Sequence, residues 1–279
     1  MPATSSSPGE GIRESLEEEA RRLLAAADAD ALPLGLLGGM GIRLLLGERL
    51  DPRFRREIGD LDFITTRRAG AAVEVLLAAH GWQPARRFNA VNGARRLLFE
   101  EPAGARRVDV FVGRFEMCHQ LPLLERLNDR AEILPAAELA LTKLQIVALN
   151  AKDRGDLYAL LLACPLTGLD PERDDDRDAV REANHDAERD ANPVIDVRRI
   201  AELTGADWGL HHTIELNLVR LREGLAETGL ADAQRELLRE RLAALAGALE
   251  QAPKSRAWRV RARVGERRRW FEEPEEIAR

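Results

Sequence analysis

The segment GDLDFITT at residues 59–66 constrains this chain more than any other. Its Ile and Thr content and its alternation predict a strand, in which residues two apart point the same way. Leu61 and Phe63 therefore share one side, and Asp60 and Asp62 share the other. A strand so divided must lie on a core through its apolar side. Its other side carries two like charges, an arrangement that is unfavourable unless a cation sits between them.

The surrounding pattern supplies the rest of a small sheet. LPLGLLGGMGIRLLL (33–46 with its leading Leu32) reads as a short buried strand, a glycine turn and a helix. A helix precedes it, with Leu16, Ala20, Leu23 and Leu24 recurring on one face. GAAVEVLLAAH (70–80) is a further helix, stopped near Gly81. ARRLLFEE and RRVDVFVG are strands, joined as a hairpin through a Pro-Ala-Gly turn. Beyond Pro135 the pattern is helical only: PAAELALTKLQIVALNA, then 153–163, then VRRIAELTG, WGLHHTIELNLVRLREGLAE and ADAQRELLRERLAALAGALEQ. The expected fold is mixed α/β (α+β), a small sheet flanked by helices and followed by an all-helical C-terminal part. The expected organisation is a disordered stretch at 1–12, an α/β domain at 13–133 and a helical domain at 134–279. Residues 170–196, strongly acidic and poor in apolar side chains, are expected as a solvated insertion. No internal repeat of fixed period is present.

Asp109, in RRVDVFV, adds a third carboxylate flanked by apolar residues. Three carboxylates on neighbouring strands offer hard oxygen donors suited to Mg²⁺ or Mn²⁺. Gly38, Gly39 and Gly41 supply a complementary feature. Glycines let backbone approach a phosphate, and the helix after them offers unpaired N–H groups to it.

The blocks LLGGMGIRLLL, GDLDF and VDVFV, in that order, resemble the DNA polymerase β-like nucleotidyltransferase superfamily, whose hallmark is a GG or GS turn, a DxD strand and a third carboxylate on a later strand. ELALTKLQIVALNAKDRGDLYAL is similar to the helical segment of AbiEii-type nucleotidyltransferases, and the resemblance spans roughly residues 33–163. It implies that Gly38 and Gly39 contact the phosphates of an NTP, that Asp60, Asp62 and Asp109 hold Mg²⁺ or Mn²⁺, and that Lys143 reaches the triphosphate as a point charge. It also implies a role for Asp153 as base or as orienter of the acceptor, with Asp156 on nearly the same helix face. The implied activity is transfer of an NMP to an acceptor, RNA and protein among the candidates. An enzyme of this type can act as the toxin of a toxin–antitoxin pair, and an antitoxin is then its partner. A non-catalytic nucleotide- or RNA-binding module on the same fold is the alternative. Two departures stand out: Gly39 replaces the serine of many relatives, and ERLDPRFRREIG forms a long loop before Asp60. Arg43, Arg53, Arg55 and Arg56 are candidate phosphate contacts there, a solvated basic loop being the competing reading.

Other chemistries find little support. Cys118 and Cys164 are too few for a disulfide framework and fit a reducing cytoplasm. His211 and His212 are adjacent, so on a helix they point about 100° apart and are poorly placed to share an ion. The start of the chain has no apolar segment after a basic one, so no secretory leader is expected, and no run reaches the roughly 18 apolar residues of a membrane span. Net charge is −6, against simple coating of nucleic acid, yet residues 254–269 are Arg-rich and are followed by Trp270. With Trp258 this stretch suits either RNA binding or, preferably, a basic helix docking on the acidic insertion or a partner.

Overall fold

The computed structural model describes residues 15–102, 106–127, 130–169 and 192–273, so the expected disorder at 1–12 and most of the acidic stretch lie outside the described residues. Helix α1 (Leu16–Ala29) opens with a capping box, in which Ser15 accepts from Glu18 N–H and Glu18 accepts from Ser15 N–H. Strand β1 (Leu34–Leu37) runs directly into α2 (Gly38–Leu46), and after a loop comes β2 (Asp60–Thr65). There follow α3 (Gly70–Ala79), β3 (Gln83–Pro84), α4 (Arg86–Asn92), β4 (Arg96–Glu100) and β5 (Arg107–Val112). Two short strands, β6 (Phe115–Glu116) and β7 (Gln120–Leu121), pair with each other, and β8 (Ala131–Ile133) returns to the main sheet.

The main sheet has the order β3-β4-β5-β2-β1-β8. β1–β2, β4–β5 and β3–β4 are antiparallel, while β2–β5 and β1–β8 are parallel. The sheet is therefore mixed, and β4 and β5 form the expected hairpin. Alternation sorts its two faces. Leu61, Phe63, Leu97, Phe99, Val108 and Val110 pack together with Leu16, Ala20 and Leu23 of α1 and Val73 and Leu77 of α3. Ile64 and Phe111 point the other way, into a second core that continues through the C-terminal helices.

Those helices are α5 (Ala136–Leu144), α6 (Ala151–Ala163), α7 (Val197–Ala206), α8 (Trp208–Gly224), α9 (Asp232–Gln251) and α10 (Arg256–Val264). On α9, Leu238, Leu242, Leu245 and Leu249 recur at 4-3-4 spacing and are all fully buried, which is the stripe an amphipathic helix needs. The helix expected to run on through residue 151 ends at Leu144. There the Asn217 side chain of α8 donates to the carbonyls of Leu144 and Ile146, satisfying groups that a continuing helix would use. Within the stretch expected as a solvated insertion, Ile195 is fully buried: β10 (Ile195–Asp196) pairs with β9 (Leu166–Thr167), and Asp196 caps α7.

The Arg-rich stretch forms α10 and packs on α7 and α8. Trp270 stands edge-on to Trp208 and His212 and donates to the Thr213 hydroxyl, so its ring is committed within the chain. His212 stacks on Trp208 and bonds Glu266, whereas His211 meets Trp258 edge-on. Among the described residues no helix is long and apolar enough to cross a membrane.

Candidate active site

The carboxylates lie on the sheet face turned toward the helical part, at the point where apolar packing gives way to polar side chains. In the parallel pairing of β2 with β5, Asp62 stands directly opposite Asp109 and Asp60 opposite Arg107. Two of the three expected carboxylates are thus cross-strand neighbours, and the third lies two residues along on the same side. In the other direction Asp62 stands opposite Leu37, the last residue of β1, so its side chain abuts the start of α2.

The reason for Gly38 follows from that contact. Its φ is +67°, in the region that disfavours L side chains, and a Cβ there would stand 2.0 Å from Asp62 Oδ2. Gly39 is occupied from above instead: a Cβ on it would meet the Arg56 guanidinium at 2.4 Å. No side chain caps the first turn of α2. The positive end of that helix therefore faces the carboxylates and Arg56 together.

Around this centre the charges alternate. Arg56 donates from two nitrogens to Asp156, at 3.2 and 2.9 Å. Lys143 Nζ lies 2.8 Å from Asp153 and 3.0 Å from Asp156. Burial works to lower the Lys143 pKa, but Asp156 and Asp153 outweigh it and hold it above the ordinary value, so the ammonium stays charged. Asp153 and Asp156 are both buried, each paired with a cation, as buried carboxylates must be. Asp109 accepts from Arg96 of β4, whose Nε lies 2.8 and 3.0 Å from its two oxygens.

Asp62 differs from these. Among the described residues no hydrogen bond or ion pair holds its carboxylate. Burial first, then Asp60 and Asp109, push its pKa up to about 7, while Lys143 and Arg96 pull the other way. Part of its surface still reaches solvent. A carboxylate this poorly compensated, beside two more, matches the donor chemistry of a divalent hard cation. The side chains as they stand do not form a closed cage: among the described residues no three acidic, His or Cys groups are gathered as ligands, Asp109 being engaged by Arg96.

The three carboxylates, the glycine turn and the Lys143 cluster are thus linked through Asp62 and Arg56, although Lys143 and Asp153 face each other rather than a free space. Of the four candidate arginines, only Arg56 covers the glycine turn. Arg43 donates to the Arg56 carbonyl, and Arg53 is tied to the carbonyl of Gly229 and to Gln234. Arg55 is exposed. Arg96 escaped the sequence reading. The signal lay in the hairpin, because pairing ARRLLFEE with RRVDVFVG places Arg96 opposite Phe111, next to Asp109 on the same face.

Comparison with protein-family models, with curated proteins and with solved structures returned no match.

Proposed function

We propose that this chain is a metal-dependent nucleotidyltransferase, moving an NMP from an NTP to an acceptor with release of pyrophosphate. The observation that carries this reading is the cross-strand pairing of Asp62 with Asp109, with Asp62 lying against a glycine at a helix start. Charge and backbone are thereby placed together as triphosphate chemistry requires.

Asp60, Asp62 and Asp109 would hold Mg²⁺ or Mn²⁺, which when bound supplies charge neutralisation for the triphosphate and a better leaving group. The chain's own residues do the rest. Gly38 and Gly39 let the phosphates approach backbone N–H groups of α2. Arg56, poised over Gly39 and held there by Asp156, offers its positive charge to a phosphate oxygen. Lys143 remains ionised between Asp153 and Asp156, so it contributes a fixed positive charge. In this reading Asp153 positions Lys143, a role that its 2.8 Å contact favours over that of a base. Holding the reactants in one geometry accounts for much of the remaining rate.

Arg96 on Asp109 favours a second reading, a nucleotide-binding module that uses the fold without transfer, because it ties up one of the three carboxylates. Calorimetric titration of each NTP, with and without Mg²⁺, into the wild type and Asp60→Ala/Asp62→Ala tests both. Metal-dependent binding lost in the variant supports the transferase, and labelled NTP then reports transfer. Binding that ignores both metal and mutation supports the module. A folded wild type that binds no NTP refutes both.

A further inference from the structure

Arg56 also lines a cleft of about 390 Å³, bounded by the turn Pro52–Phe54, the start of α6 and the end of α8. Arg53, Arg55, Lys152 and Arg154 line it as well, against a single carboxylate, Glu227. Such a volume suits a small ligand or one unit of a larger one. On a chain of net charge −6 this concentration of cations is local, not a property of the whole surface.

Two of its features do not follow from stability. Arg55, Lys152 and Arg154 make no ion pair among the described residues, although three like charges around one hollow repel. Lys152 and Arg154 also sit in the first turn of α6 (Ala151–Ala163), where the positive end of the helix disfavours cations. The one acidic residue of that turn, Asp153, is turned inward to Lys143 and compensates neither. Both features become favourable once an anion occupies the cleft, since free cations and the helix end then act in the same direction.

We propose that this cleft holds a phosphate ester of the acceptor, bound by Arg55, Lys152 and Arg154, with Arg56 as the wall shared with the nucleotide site. The inference rests on the transfer reading for the word acceptor. Its chemistry is that of a phosphate group, which an oligonucleotide backbone and a phosphorylated small molecule both present.

The test titrates the full chain with a short labelled single-stranded RNA and, separately, with glucose 6-phosphate. Each is compared with Arg55→Ala/Lys152→Ala/Arg154→Ala. The milder Arg55→Ala/Lys152→Ala, confined to two exposed side chains, guards against misfolding. Loss of roughly tenfold in affinity for at least one probe, with a shallower salt dependence, is the expected result. The probe affected identifies the source of the phosphate. Equal binding by variant and wild type, or no binding of either probe by the wild type, overturns the proposal. NTP titration of the same proteins separates the two ideas. A wild type that binds no NTP refutes the transfer reading, and phosphate binding without it removes the acceptor role of the cleft. Unchanged NTP affinity in the triple variant, with probe binding lost, supports two separate subsites.

Discussion

Replacing Gly38 with alanine would set a methyl carbon 2.0 Å from Oδ2 and 2.9 Å from Cγ of Asp62. Two costs arise together. An L side chain at a φ of +67° costs about 1–2 kcal/mol in the backbone alone. Displacing a packed side chain adds about 1–3 kcal/mol, giving a total of about 3 kcal/mol. Only the second cost depends on Asp62. In Asp62→Ala the carboxylate is gone and the nearest remaining neighbour is its Cβ at 3.1 Å, a contact relieved by a few tenths of an ångström. The same Gly38→Ala change should then cost only the backbone part. A double-mutant cycle measured by urea unfolding in the presence of a chelator should give a coupling of about 1–3 kcal/mol, larger for Asp62 than for Asp60. A coupling within a few tenths of zero would refute the argument that Asp62 dictates the glycine, leaving backbone conformation as the sole reason for it.

Two further outcomes follow from the buried charges. Lys143→Met leaves Asp153 buried without its cation while Asp156 keeps Arg56, so stability should fall by about 3 kcal/mol, and adding Asp153→Asn should restore part of it. No recovery in the double variant would show that Asp153 finds another partner. His119 is buried, bonded to Thr213 at 2.8 Å, and its pKa is lowered to about 4, by burial against the opposing pull of Asp207. The unfolded chain therefore binds more protons than the native one between pH 6.5 and 4, and stability falls as pH drops through that window. From pH 7 to pH 5 this single group should remove about 2 kcal/mol. His211, also lowered to about 4, acts in the same direction, so His119→Gln should remove only part of the slope in urea midpoint against pH. An unchanged slope would mean that His119 binds its proton equally well in the native and unfolded chains.

Period-two alternation made the central strands legible in advance, because a strand with one buried face leaves a regular mark. It separated Leu61 and Phe63 from Asp60 and Asp62, and β2 divides in that way. The register could not be read. Which residue of β5 stands opposite Asp62 depends on how the two parallel strands slide, and no short turn links them to set it. The short strands β3 and β8 and the helix α4 were missed, being too brief to leave any period. Side-chain partnerships across long separations were equally hidden. Lys143, expected to reach outward to phosphate, is drawn inward by Asp153 and Asp156, and nothing in KDRGDL distinguishes an exposed helix pair from a buried ion cluster. Arg56 shows the same limit, since the sequence marks four arginines near the glycine turn and only packing selects one.

The loop carrying Arg56 is held by residues far along the chain. Arg56 pairs with Asp156, 100 positions later, and Asp51 and Arg53 bond Gln234, 183 and 181 positions away. Contacts of such span are closed late, because the entropy of the intervening loop must be overcome first. During synthesis the sheet with its three carboxylates emerges well before α6 and long before α9. The nascent chain thus exposes an acidic face whose balancing arginine has no anchor until Asp156 has been made, in a loop not tied down until about residue 234. The parts of the site are made early, but its geometry is completed only when nearly the whole chain has folded around it.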